Sequence, residues 1–350
     1  MKVTENDIAK MAGVSQTTVS RVLNDHPSVK DSTRQKVLSA IKEIGFTPDP
    51  IARSMVTNRT GTIGLIVGDI SNPFYAETAK IIIGIARING YDVILCDTDH
   101  DSDSLQKEIK MLLNRRVDGI MIASVNRWDT YVSELYKTGF PIILFNRTTD
   151  DSKLHSVILD NERGAQIAVS HLVNLGHKRI SFISGPSKYS TFYQRLEGYK
   201  LALEKHYLPF TEEMVFHENL SYKEIEKFVR NIFSINDPPT SFFASSDHMA
   251  IFVMNAVARI GLKVPEEISI IGFDDIDISS NPYINLTTIS QQKKKMAISA
   301  LEILLSLIEN EEPMKKPIQV TIAPELIIRG TTAMKQSIPS HINKTIIGVN

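Results

Sequence analysis

The sequence predicts an α/β protein: an N-terminal helix-turn-helix head with a hinge, followed by a two-lobed, doubly wound core of parallel sheets. Three observations predict it. Two short helical patterns split by a glycine turn occupy the start of the chain. From Thr62 onward short apolar runs alternate with amphipathic stretches. The charge is divided as well: residues 1–60 carry nine Lys or Arg against six Asp or Glu, while the remainder carries 30 against 34, inside a net charge of -1. A small basic module on a mildly acidic body is what a phosphate-binding head on a sensor requires. At 350 residues, 42% hydrophobic and 23% charged, the chain has room for two or three globular domains, and neither a disordered nor a membrane class fits.

Thr4 and Asp7 form a capping-box pattern ahead of Ile8, Met11 and Ala12, predicting a helix over residues 5–12 that Gly13 ends. Ser15 caps a second helix whose apolar side is Val19, Val22 and Leu23. Asp31 and Ser32 precede a third, with Val37, Leu38, Ile41 and Ile44 facing its core and Gly45 as its stop. Two short helices around a three-residue turn follow the helix-turn-helix plan, which places Gln16, Thr17 and Arg21 at a major-groove reading surface. Gln pairs with adenine edges, Arg with guanine O6 and N7, and Thr donates to several bases or meets a thymine methyl. As a bare pattern, the same residues also read as ordinary solvated helix positions. Residues 47–60 contain two prolines and a helix too short to be stable alone.

In the body, TIGLIVGDI, YDVILCDT, GIMIAS, PIILFN, RISFISG, SFFASS and SIIGFD read as buried strands, with helices such as 76–88 and 161–175 between them. About 260 residues of this alternation exceeds what one six-stranded sheet needs, so two lobes are expected. Ligands of such sheets bind beyond the C-terminal strand ends. Here those ends are Asp69 to Tyr75, Asn146-Arg147, Ser245-Ser246-Asp247, Phe273-Asp274-Asp275 and Gln291. Amides, carboxylates, guanidinium groups and rings suit a sugar, although each residue taken singly also reads as a strand-end cap or turn. Cys96, the single cysteine, sits in an apolar run and reads as core.

The run VTENDIAKMAGVSQTTVSRVLN, then STRQKVLSAIKEIGFTPD, then ARSM, resembles the head of the LacI/GalR family of bacterial regulators. The body resembles the same family's sensor core and the bacterial ribose-binding proteins, a periplasmic-binding-protein-like fold, through NPFY, RRVDGI, FNR, LVNLGHKRISFISG, RLEGY, SDHMA, VPEEISIIGFDD and LTTISQ. The resemblance implies a repressor that binds a palindromic double-stranded DNA operator as a homodimer under the control of a sugar, sugar acid or sugar phosphate. The expected DNA-contacting set is Thr4, Ser15, Gln16, Thr17, Thr18, Arg21 and Asn24, with Ala52 and Met55 in the hinge. Met55 stands where a leucine wedge is common, and methionine also unstacks base steps. The effector contacts implied are Asn72, Phe74, Tyr75, Asn146, Arg147, Arg195, Ser246, Asp274 and Gln291, with rings 74 and 75 sandwiching the ligand and Asp274 accepting from two hydroxyls. Asn146 replaces a common carboxylate and Ser246 a common asparagine. With two arginines then facing one carboxylate, a net-positive cleft and an anionic ligand are expected. Expected boundaries are 1–46 for the head, 47–60 for the hinge, 61–160 with 291–322 and 161–290 with 323–332 for the lobes, and 333–350 for the tail. Three crossings are expected, near Asp160, Gln291 and Ala323. Ligand closure of the lobes would reset the placement of two subunits and so order or release the hinges.

Three further readings bound the function. The acidic run 97–103 with Glu108 superficially matches a calcium loop, but Ser102 replaces the required glycine, so a capped strand-to-helix loop is expected; no metal or other cofactor is foreseen. His171 and His177 read as exposed or capping residues. No G-x-S-x-G, H-E-x-x-H, Walker A or G-x-G-x-x-G run supports an enzyme. The N-terminus lacks an apolar h-region and no eighteen-residue apolar run exists, which argues against a membrane or transport protein and for the cytoplasm. The rival within the DNA-binding class is control by a protein corepressor. The tail lacks leucine heptads, so a coiled coil joining dimers is not expected.

Overall fold

The computed structural model describes residues 4–23, 26–45, 59–151, 153–217, 221–310 and 316–335. Asn24, Ala52 and Met55, most of the expected hinge and the tail from 336 lie outside the described residues. None of the described helices is long and apolar enough to cross a membrane.

The head consists of α1 (Glu5–Ala12), α2 (Gln16–Leu23) and α3 (Asp31–Ile44). The Asp7 carboxylate accepts from both the backbone N–H and the hydroxyl of Thr4, at 3.0 and 2.7 Å, and Gly13 closes α1 at φ 65°. That left-handed turn is open to glycine without steric cost. Ser15 Oγ accepts from the Thr18 N–H at 3.2 Å, capping α2 as expected. The core of the head is Ile8, Ala9, Val19, Val22, Val37 and Ala40. Three helix expectations are corrected. Met11 and Leu38 are 47% and 51% exposed, because a small three-helix core is filled by one narrow stripe per helix. Asp31 and Ser32 lie inside the first turn of α3, after Lys30, and there the acidic Asp31 favours the helix dipole.

Among the described residues the body contains two six-stranded sheets. The first has the order β11-β5-β4-β3-β1-β2, built from β1 (Thr62–Val67), β2 (Asp92–Asp97), β3 (Gly119–Ile122), β4 (Ile142–Phe145), β5 (Ser156–Leu159) and β11 (Gln319–Ile322). The second has the order β12-β10-β9-β8-β6-β7, from β6 (Ile180–Ile183), β7 (Val215–Phe216), β8 (Ser241–Ala244), β9 (Ser269–Asp274), β10 (Thr287–Ser290) and β12 (Glu325–Ile327). The described pairings are parallel except β10 with β12, which is antiparallel because only Ala323 and Pro324 separate β11 from β12. The chain passes from the first sheet to the second after Leu159, returns after Ser290 and crosses again after Ile322. Asp160 caps the helix at the first crossing by accepting from the Arg163 N–H.

Helices α4 (Pro73–Ile88), α5 (Ser102–Asn114), α6 (Thr130–Lys137) and α11 (Lys293–Glu309) belong to the first lobe. The second lobe holds α7 (Asn161–Asn174), α8 (Ser190–Lys205), α9 (Tyr222–Ile232) and α10 (Asp247–Arg259). α7 and α8 approach closely because Gly198 has no side chain: a Cβ there would sit 2.3 Å from the Glu162 carbonyl oxygen. Asp101 caps α5 by accepting from the Ser104 N–H, and Asp97 accepts from the Ile70 and Asp99 N–H groups, so the 97–103 run is a capped loop. Cys96 is buried, and burial pushes its thiol up to about 12. His177 corrects the sequence reading. It is buried, with Nδ1 2.9 Å from Thr240 Oγ1 and Nε2 3.0 Å from Ser269 Oγ and 3.1 Å from the Ala333 carbonyl, and burial lowers its pKa. His171 is half-buried beside Thr332 Oγ1 at 3.0 Å.

Candidate functional site

Two regions carry the expected site residues. On α2, Gln16, Thr17 and Arg21 are exposed while Val19 and Val22 are buried on the opposite side, so the helix presents one polar face. Thr17 and Arg21, four residues apart, share that face. Thr4 and Ser15 spend their side chains on caps, and Thr18 is half-buried with its hydroxyl 2.8 Å from that of Ser15.

The second region is the cleft between the C-terminal strand ends of the two sheets. All nine expected effector residues line it, together with Asp69, His100, Thr191, Phe192, His248, Met249 and Phe252. Free space within it is about 70 Å³. From the first lobe, Asn72 caps α4 by accepting from the Phe74 N–H at 3.1 Å, with Pro73 at the first helical position. The cap starts α4 three residues before the expected position 76 and turns Phe74 and Tyr75 inward. Their rings meet edge to face, centroids 5.4 Å apart at 74°. The two rings thus touch each other in this structure instead of standing apart as the faces of a sandwich.

Arg147 follows Asn146, which takes the left-handed conformation at φ 64° that asparagine tolerates. The Arg147 guanidinium is buried, lies 3.9 Å from the Tyr189 ring centroid and places NH1 3.3 Å from His100 Nδ1. Among the described residues no carboxylate comes within ion-pairing distance of it. Burial, then the positive charge of Arg147, lowers His100 to about 4, so its ring is neutral at pH 7 and Nδ1 accepts. Gly68 makes this arrangement possible, since a Cβ there would lie 2.4 Å from His100 Nδ1.

From the second lobe, Arg195 donates from Nε to Asn161 Oδ1 at 2.9 Å and from NH1 to the Ser245 carbonyl, stacks 3.6 Å from the Phe273 centroid and reaches Asp274 Oδ1 at 3.5 Å. Burial lowers it to about 10, which leaves it charged at neutral pH. Asp274 accepts from Gln291 Nε2 and sits at φ 123°, a conformation non-glycine residues rarely take. Burial, opposed by Arg195, pushes its carboxyl up to about 7. Ser246 caps α10 by accepting from the Met249 N–H. Three buried polar atoms of the walls, Asn146 Oδ1, Arg147 Nε and Gln291 Oε1, have no hydrogen-bond partner among the described residues. Orphan groups of this kind are costly unless something else satisfies them.

The expected charge count is corrected by Asp69, which brings a second carboxylate to the walls. Partial burial works against its ionisation, but the two bonds from Ser71 hold it below the usual range. His100 was hidden in a run that reads as a solvated loop. Thr191 and Phe192 precede Arg195 by one helical turn, a spacing that points to them once Arg195 is suspected.

Comparison with known proteins gives a consistent picture. The family model described as bacterial regulatory proteins, lacI family, matches residues 4–49, and a periplasmic binding protein-like domain model matches residues 169–332. Catabolite control protein A of Priestia megaterium is 35% identical over 312 residues, covering 89% of this chain and 94% of that protein. The HTH-type transcriptional repressor PurR of Aliivibrio salmonicida is 32% identical over 327 residues, covering 93% and 98%. Among solved structures, the Lac repressor dimer bound to operator and the anti-inducer ONPF aligns with a TM-score of 0.83 at 27% identity, over 95% of this chain and 100% of that one. The transcriptional regulator CelR in complex with cellobiose aligns with a TM-score of 0.70 at 26% identity, over 94% and 99%.

Proposed function

Since the chain belongs to the LacI family of bacterial regulatory proteins, we propose that it is a cytoplasmic, non-enzymatic repressor that binds a palindromic operator as a homodimer and responds to a sugar in the interlobe cleft. Gln16, Thr17 and Arg21 read base edges in the major groove, with Ala52 and Met55 entering the minor groove. Thr4, Ser15, Thr18 and Asn24 position the head on the backbone. Residues 61–160 with 291–322 form one lobe and 161–290 with 323–332 the other.

The observation that carries the effector reading is the set of orphan atoms: Arg147 Nε, Asn146 Oδ1 and Gln291 Oε1 are buried on the walls of one polar cleft. A polyol supplies the acceptor that Arg147 Nε lacks and the donors that the two amide oxygens and Asp274 take. Phe74, Tyr75 and Phe192 offer the apolar surface that sugar C–H faces require. Above pH 7, where Asp274 is ionised as well as Asp69, the charges of Arg147 and Arg195 are balanced, which favours a neutral pentose or hexose over a uronate or sugar phosphate. The sugar switches DNA affinity only to the extent that it binds one lobe arrangement more tightly than the other.

A thermal-shift screen of the full chain against neutral sugars, sugar acids and sugar phosphates tests the sensor. A ligand at ~100 times its Kd adds ~2.7 kcal/mol of stability. Anisotropy with a palindrome selected from randomised DNA, with and without the hit, tests the switch. A chain that selects an operator while ignoring every small molecule would instead be controlled by a protein partner.

A further inference from the structure

One ion pair of the first lobe reaches across to the backbone of the second. Glu77, on α4 of the first lobe, accepts from Lys293 Nζ through Oε2 at 2.6 Å, and its Oε1 accepts the backbone N–H of Asp277 at 2.9 Å in the second lobe. Lys293 opens α11 just after the chain returns to the first lobe, and its ammonium also donates to the Asp275 carbonyl. The two backbone groups gripped in this way belong to the turn that follows Asp274. That turn contains consecutive positive-φ residues, Asp274 at 123° and Asp275 at 55°. Strained non-glycine backbone of this kind persists only where its surroundings over-determine it. From the second lobe the same turn is held by Arg329, which pairs with Asp275 Oδ1 at 2.6 Å and donates to the Leu286 carbonyl at 2.8 Å. The Lys293 and Glu77 side chains are 14% and 20% exposed, so the pair is largely shielded from solvent.

We propose that Glu77 and Lys293 form an interlobe clasp, a pair of positioning residues that hold the Asp274–Asp275 turn and thereby set both the placement of the Asp274 carboxylate and the approach of the two lobes. Neither residue lines the cleft. Both act through the turn, and the consequence for ligand affinity rests on the effector reading given above.

Hydrogen–deuterium exchange of the full-length chain without ligand tests the clasp, using Glu77→Ala, Lys293→Met and Lys293→Arg. Loss of a charge-assisted bond should speed exchange at the Asp277 amide about tenfold in Glu77→Ala. Lys293→Met should loosen residues 275–279 as well, whereas Lys293→Arg, which keeps the charge, should restore near-normal protection. Strands β6 and β8 should exchange as in the wild type. Unchanged protection at 275–279, or loosening spread evenly over the core, overturns the clasp. For any sugar that binds the wild type, Glu77→Ala should weaken the affinity about tenfold, and equal affinity overturns the positioning role. A sugar panel with no hit on the wild type removes the effector reading alone, because the exchange result decides the clasp independently.

Discussion

Replacing Asp274 by asparagine isolates the charge at the centre of the cleft. The substitution keeps the shape and tolerates the positive φ of 123° at this position about as well as aspartate does. It removes one acceptor oxygen and turns charge-assisted bonds to sugar hydroxyls into ordinary ones. Charge-assisted bonds contribute about 1.5–3 kcal/mol and neutral ones about 0.5–1.5. Two such bonds therefore predict a loss of roughly 2–3 kcal/mol, a fall in effector affinity of about 30- to 150-fold. Titration calorimetry on wild type and variant at pH 8 measures it. The pH dependence supplies a second readout. The folded carboxyl titrates at about 7, against about 3.9 unfolded. Between those values the folded state binds more protons, so the residue's contribution to stability is full at low pH, declines as pH rises towards 7 and is level above it. A ligand that needs the carboxylate should bind wild type up to roughly tenfold more weakly for each pH unit below 7, and Asp274→Asn should lack both slopes. Affinity within threefold of wild type at pH 8, or an unchanged pH profile, would refute the assignment of Asp274 as the charged acceptor.

Three other outcomes are expected. Gly198→Ala forces a Cβ to within 2.3 Å of a backbone oxygen of α7, so overpacking should cost ~1–3 kcal/mol or more, read as a lowered melting temperature; an unchanged melt would mean that the α7–α8 contact yields easily. Ile8→Ala empties the centre of the small head core at a cost of ~2–5 kcal/mol, and operator binding should disappear while sugar-induced stabilisation of the core survives. Gln16→Ala and Arg21→Ala should each lose about 1–3 kcal/mol of discrimination at one operator position; a uniform loss across all sequences in a binding-site selection would reassign that residue to phosphate contact.

The sequence by itself determined whatever local chemistry can specify. The Thr4–Asp7 and Ser15 caps, the glycine stop at residue 13, the polar face of α2 and the apolar strand runs are all set within a few residues of each other, where hydrogen-bond reach and side-chain period decide the outcome. Nine cleft residues were legible because strand ends and family motifs name them before their geometry is known. Other features were decided only by the tertiary structure. β7, β11 and β12 are two to four residues long and bear no strong apolar signal; neighbouring strands supply their hydrogen bonds. His177 is buried because Thr240, Ser269 and the carbonyl of Ala333, distant in sequence, satisfy its ring. Met11 and Leu38 are exposed because a narrow core has no space for every apolar residue in a helical pattern. Asp69 and His100 acquire meaning only where the cleft walls meet. The bonds from Glu77 to Asp277 and Lys293 span 200 and 216 residues, separations that no periodicity encodes; the packing of one lobe on the other makes the first, and the packing of α4 on α11 within the first lobe makes the second.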